Sequence, residues 1–181
     1  MGKLQPERAA LAVIDMQEGF RAVIPDFDAV AARIAKAVQG AHLLNVPVVV
    51  TEQYPRGLKQ TAAEIRGCLN GVAVLEKMTF SSCGIEAFGS ELRGRQARQV
   101  LVCGIEAHIC VTQTALDLIE EGYEVHLLVD CITSRDPRSK EIALARLQPA
   151  GAIVSCLEMA LFELMSTAES PQFKAVQALI R

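Results

Sequence analysis

From residue 99 to residue 129 the chain reads QVLVCGIEAHICVTQTALDLIEEGYEVHLLV. Two short apolar runs rich in β-branched residues, Gln99–Cys103 and Glu124–Val129, flank a segment in which Ala115, Leu118 and Ile119 recur at helical spacing. Gly122 follows that segment, at the place where a left-handed residue commonly closes a helix. Strand, helix and strand in this order predict two parallel strands joined by a crossover helix over Ile109–Glu121.

The same alternation extends in both directions. Further strands are expected at Ala9–Ile14, Val46–Thr51, Val72–Leu75 and Ala152–Val154, each a near-continuous apolar run suited to a sheet covered on both faces. Phe27–Leu44 places Val30, Ile34, Ala37, Val38 and Ala41 on one stripe, and Asn45 followed by Pro47 closes it. Other helices are expected at Arg138–Leu147, Cys156–Met165 and Pro171–Ile180, the last opening on Ser170. The pattern is that of an α/β protein with six strands. Its least regular parts, Gln53–Gly71 and the loop Thr79–Gly84, are where a lid over a site is expected.

With 181 residues, 51% of them hydrophobic, the chain is long enough for a substantial core and short enough to predict one domain over residues 1–181. The net charge is −3 and basic residues are interspersed with acidic ones, which argues against a nucleic-acid partner. No apolar run approaches the roughly 20 residues that span a bilayer, and the opening MGKLQPERAA is polar. A soluble, cytoplasmic protein with no membrane partner is therefore expected. Six cysteines are read mainly as thiols; Cys103, Cys110, Cys131 and Cys156 lie in or beside apolar segments, where a cysteine commonly behaves as a small hydrophobe.

Ligands of open parallel sheets bind beyond the carboxyl ends of the strands. The first strand runs into Asp15, the third into Glu76-Lys77, and the fourth into Cys103-Gly104 and then Cys110. A cysteine at a helix N-terminus beside an ammonium is expected to lose its proton more readily than its ordinary value near ~8.5 allows. Cys110 is thus the candidate nucleophile, Asp15 a candidate acid–base group and Lys77 the supporting cation. Each also has a plainer reading: a core thiol, a turn-capping aspartate, a solvated strand-end lysine.

The segments AVIDMQEGF (12–20), VVVTEQYPRGL (48–58), EKMTFSSC (76–83) and GIEAHICVTQTALDLIEEGYEVHLLVDCITSR (104–135) resemble the isochorismatase-like cysteine hydrolases, in order and over nearly the whole chain. The resemblance implies a three-layer α/β/α sandwich on a Rossmann-like six-stranded, mainly parallel sheet, and a triad of Asp15, Lys77 and Cys110. It further implies a non-proline cis peptide between Ile105 and Glu106, and an oxyanion hole from the N–H groups of Glu106 and Cys110. By analogy Gln17, Phe20, Glu52, Tyr54, Phe80 and His108 are candidates to line a substrate site, or are ordinary loop packing. The implied activity is hydrolysis of a small molecule at an amide-like C–N bond, through a thiolate nucleophile and an acyl-enzyme and with no cofactor. A homo-oligomer is expected, with Ala152–Met165 either at a subunit interface or in the monomer core.

The nicotinamidase branch of the family carries an Asp-x-His metal motif after the second strand, where this chain reads Thr51-Glu52-Gln53-Tyr54. No metal is therefore expected; His42 and His126 fall in a helix and a strand, away from ligand spacing. Two other function classes remain in view. One is a binding or scaffold protein with little turnover. The other, nucleotide-dependent redox chemistry, is disfavoured because DMQEGF replaces the glycine-rich turn that cradles a pyrophosphate.

Overall fold

The computed structural model describes residues 2–181. Six strands, β1 (Ala9–Ile14), β2 (Val48–Gln53), β3 (Val74–Lys77), β4 (Gln99–Gly104), β5 (Glu124–Ile132) and β6 (Ile153–Ser155), form one sheet in the order β3-β2-β1-β4-β5-β6. Every neighbouring pair is parallel, so the sheet is wholly rather than mainly parallel. The strand order reverses between β1 and β4, which opens a crevice at their carboxyl ends.

Among the described residues, eight α-helices accompany the sheet: α1 (Phe27–Leu43), α2 (Pro55–Leu58), α3 (Ala63–Arg66), α4 (Glu86–Gly94), α5 (Thr112–Glu120), α6 (Pro137–Leu147), α7 (Leu157–Met165) and α8 (Phe173–Ile180). Alternation along the strands sends side chains to two cores. Leu11, Val13, Val48, Val50, Leu101 and Cys103 meet Val30, Ile34 and Val38 of α1, Leu161 and Leu164 of α7, and Val176 of α8. Ala10, Ala12, Ile14, Val49, Val100 and Val102 meet Phe88 and Leu92 of α4, Ala115 and Leu118 of α5, and Ala143 and Leu147 of α6. Helices on both faces of one sheet make this a three-layer α/β/α, Rossmann-like fold.

β1 and α1 lie where their apolar patterns place them, α1 ending one residue early at Leu43. β6 starts one residue later than its apolar run suggests, and β2 and β3 start two residues later. Val46 N–H is taken by the Ala41 carbonyl at the end of α1, and Gly71 adopts φ 86° in the turn ahead of β3. β5 runs on to Ile132 through an irregularity against β4 between Val102 and Gly104. α4 was not expected from the sequence: only Phe88 and Leu92 of its nine residues are buried, and two glycines lie within it. The irregular Gln53–Gly71 stretch holds the four-residue helices α2 and α3. Helix α8 begins at Phe173, because residues 170–172 form a turn in which Gln172 N–H donates to Ser170 Oγ at 3.3 Å.

Part of the segment Ala152–Met165 completes the monomer core, one of the two roles expected of it. Leu157, Ala160, Leu161, Leu164 and Met165 are buried within the monomer, while Val154, Met159 and Phe162 are exposed. Among the described residues, no helix is long and apolar enough to cross a membrane.

Candidate active site

The strand ends deliver their polar residues in spatial order. Lys77 closes β3, Thr51 and Gln53 come from the end of β2, Asp15 follows β1, and the loop after β4 leads to Cys110. Asp15 adopts φ 49°, left-handed for a non-glycine residue. Its N–H donates to the Thr51 carbonyl at 3.1 Å, and its own carbonyl accepts from Gln17 N–H at 2.7 Å. The turn fixes the carboxylate, which accepts from Thr51 Oγ1 at 2.7 Å on Oδ1 and from Lys77 Nζ at 2.6 Å on Oδ2.

The Lys77–Asp15 pair is sealed from solvent, with side-chain exposures of 0% and 2%. The ammonium also donates to Gln53 Oε1 at 2.9 Å and to the carbonyls of Thr79 and Phe80 at 3.0 and 2.9 Å. Four acceptors therefore surround one cation. A buried charge needs such saturation, since an ion pair alone rarely repays its desolvation. Thr51 and Gln53 were not singled out from sequence, although Thr51 ends an otherwise apolar run level with Ile14.

Cys110 is 7% exposed. It lies in a single π-helical turn, Ala107–Val111, that runs into α5, so the helix begins two residues earlier than expected and Cys110 is its fourth residue. π turns of this kind recur at functional sites. Burial and then the Asp15 carboxylate push the Cys110 thiol up to about 12, against the opposing pull of Lys77. Burial therefore opposes the lowering expected from a helix end and an ammonium. The sulfur is desolvated, and the Lys77 charge is directed at Asp15 and three other oxygens.

The peptide between Ile105 and Glu106 is cis. The Glu106 carbonyl accepts from the N–H groups of Ile109 and Val111 at 3.0 and 3.2 Å, which ties the loop to the turn bearing Cys110. Among the described residues, the Glu106 N–H has no hydrogen-bond acceptor. The Glu106 carboxylate, itself buried, accepts from both the backbone N–H and the Nε of Arg135.

The other candidates divide into braces and rim. Gln17 spends its whole side-chain amide on backbone: Nε2 donates to the Gln53 and Lys59 carbonyls, and Oε1 accepts from Gln53 N–H. Glu52 accepts from Thr61 N–H and Thr61 Oγ1 at 2.5 and 2.7 Å. Both buried side chains fasten the 53–61 segment. Phe20 is half-buried against the α1 core, and half-buried His108 meets Ser134 Oγ through Nδ1 at 3.1 Å. Tyr54, at φ 40°, and Phe80 are exposed, as is Met78 between Lys77 and Thr79. A cavity of about 420 Å³ lies beside Tyr54, Lys77 and Met78. No group of three or more His, Cys, Asp or Glu side chains able to hold a metal converges among the described residues.

Comparison with known proteins places the chain in a family. An isochorismatase domain is recognised over residues 9–159. The chain is 41% identical to isochorismatase domain-containing protein 2 of Bos taurus, over all of this chain and 87% of that protein. Among solved structures, the MAR1 ribonuclease of Caenorhabditis elegans superposes with a TM-score of 0.93 at 35% identity, covering 99% of this chain and 92% of that one. The YcaC gene product of Escherichia coli, described as an octameric hydrolase of unknown specificity, superposes at 0.89 over 98% and 88% of the two chains; at 20% identity it shares the fold alone. A recognised domain over most of the chain, together with relatives above 30% identity along its full length, places this protein in the isochorismatase family of hydrolase domains.

Proposed function

We propose that residues 1–181 form one cysteine-dependent hydrolase domain that cleaves an amide-like C–N bond of a small molecule, with Cys110 as nucleophile. The observation that carries this reading is the sealed Lys77–Asp15 pair at 2.6 Å, whose two charges both act on the Cys110 thiol. A buried carboxylate fixed on one side by an ammonium and on the other by Thr51 has a single remaining task of chemical interest, to take the proton of the neighbouring sulfur.

The steps balance as follows. Asp15 accepts the thiol proton as Sγ bonds to the substrate carbonyl carbon, and the carbonyl oxygen becomes an oxyanion facing the N–H groups of Glu106 and Cys110. The C–N bond then breaks, the leaving nitrogen takes the proton from Asp15, and a thioester remains. Water gives a proton to Asp15 and its oxygen to the thioester carbon; the acid departs and the proton returns to sulfur. Because the thiol sits near 12, proton transfer must accompany attack rather than precede it. Lys77 keeps the carboxylate oriented, while Tyr54, Phe80, Phe20 and His108 are proposed to border the substrate and Gln17 and Glu52 to hold that border in place.

A small electrophile such as iodoacetamide should label Cys110 faster than the other five cysteines, and Lys77→Ala should slow that labelling. A screen of small amides should give turnover that Cys110→Ala abolishes. If Cys110 labels no faster than Cys68 and no amide is cleaved, the reading fails. The same raised thiol favours the second reading, a binding protein with little turnover, and uniformly slow labelling would support it. An RNA oligonucleotide belongs in the screen because of the name of the Caenorhabditis elegans neighbour, but the net charge of −3 favours a small substrate. Homo-oligomerisation is part of the proposal: Val154, Met159 and Phe162 leave an apolar surface on β6 and α7, and light scattering that gives a monomer mass would remove it.

A further inference from the structure

The loop that carries the candidate oxyanion donor is gripped residue by residue from the segment just after β5. The Ala107 N–H donates to the Thr133 carbonyl at 2.9 Å, and the Thr133 N–H donates to the Gly104 carbonyl at 3.3 Å. Thr133 Oγ1 is anchored in turn on Asp26 Oδ1 at 2.5 Å. Ser134 Oγ meets His108 Nδ1 at 3.1 Å. Arg135 donates to Glu106 Oε1 from its backbone N–H at 3.2 Å and from Nε at 2.8 Å.

The last of these contacts is unlike the others. Glu106 is 4% exposed and Arg135 is 56% exposed, so a surface cation answers a buried anion that lies four residues from the nucleophile. The charged groups facing the sulfur are Asp15 from the end of β1, Lys77 from the end of β3 and Glu106 from its own loop. From α5 and α6 the same core receives apolar side chains, Ala115, Leu118, Ala143 and Leu147. His108, two residues before the nucleophile, is turned to Ser134. Lys77 already serves Asp15, which leaves Glu106 to be balanced from outside the site.

We propose that Arg135 is a positioning residue for the nucleophile loop: by holding Glu106 through main chain and side chain, it fixes the Glu106 N–H beside Cys110 and offsets the Glu106 charge next to the sulfur. The inference rests on Cys110 being the nucleophile. It assigns the half-exposed arginine a role in the reaction without substrate contact. Its guanidinium is more than half exposed, and without it the Glu106 carboxylate still accepts from the Arg135 backbone N–H, so the side chain contributes little to the fold.

The test is iodoacetamide labelling of the full-length protein at one mildly alkaline pH, with Cys110 followed by peptide mass spectrometry. Arg135→Ala should slow Cys110 labelling by about fivefold, the effect of one uncompensated charge at this range in a partly screened site, with little change in melting temperature. Arg135→Lys should restore most of the rate. Arg135→Ala combined with Glu106→Gln should also restore it, because the charge to be offset is gone. A merely structural brace would instead be weakened further by the second substitution. Unchanged labelling in Arg135→Ala, or a loss that Glu106→Gln fails to relieve, overturns the assignment while leaving a fast Cys110 intact. A wild-type Cys110 no faster than Cys68 overturns the hydrolase reading, and this inference with it.

Discussion

The two arms of the candidate site are built on opposite physical plans. On the β1-β2-β3 side, Asp15 and Lys77 are sealed from solvent and over-supplied with partners, the ammonium alone meeting four oxygens. On the β4-β5 side, the loop leading to Cys110 is held by a handful of contacts from residues 133–135, one of them from a cation that is more than half exposed. The first arm is bound up with the stability of the fold, whereas the second can change its reactivity at small cost. Damage to them should therefore look different.

The largest effect is expected from the sealed arm. Lys77→Met leaves the Asp15 carboxylate buried without its cation, a change that ordinarily costs about 3–5 kcal/mol. Urea denaturation should show that loss, and Asp15→Asn should cost less, because Lys77 keeps its other acceptors. Equal small losses for both variants would mean that the pair is more hydrated than its burial implies.

A middle-sized effect sharpens the comparison by lying in neither arm. His126, in β5, is buried with no partner for Nε2 among the described residues. Burial lowers its proton affinity, against the opposing pull of Glu163 and Glu124. Its folded value thus lies below the ordinary one near 6.5, so the unfolded chain binds the proton more readily. Stability attached to the neutral ring is present above about pH 6.5 and declines as pH falls below it, by at most ~1.4 kcal/mol per pH unit. Thermal melts at neutral and mildly acidic pH should show the decline, and His126→Leu should flatten it. An equal slope in the variant would place the acid sensitivity elsewhere.

The smallest effect should come from the surface cluster of Glu18 with Arg21 and Glu64. Arg21 holds the Glu18 carboxyl down at about 2, and the Ala63 N–H also donates to it. The stability it adds is present above the ordinary carboxylate range and fades as pH falls towards 2. Because these side chains remain about 30% exposed, Glu18→Gln should cost less than about 1 kcal/mol at neutral pH. A loss as large as that of Lys77→Met would erase the distinction between sealed and exposed charge.

The sealed arm was also the more legible in sequence. Asp15 and Lys77 directly follow or end apolar runs, and strands covered on both faces announce themselves through such runs. The π turn around Cys110 was visible only as helical spacing, since one extra residue in a turn leaves little trace in side-chain periodicity. Helix α4 was missed because two buried positions and two glycines make a faint pattern. Arg135 carries no signal of a role in the sequence, because its partner Glu106 is 29 residues away and meets it only once β4 and β5 are paired. The burial of Cys110 is hidden for a similar reason: neighbouring charges can be guessed from strand ends, but desolvation depends on how much protein closes over the sulfur.

Gly104 sits where these two arms come closest. Its φ is 119°, and a Cβ built there would fall 2.0 Å from the Ile14 carbonyl oxygen, the same oxygen that accepts from the Ile105 N–H at 2.9 Å. One missing methyl group therefore sets the spacing between Asp15, one residue beyond Ile14, and the Cys110 thiol, six residues beyond Gly104. An alanine at this point would act as a wedge, prising acid from sulfur while touching neither.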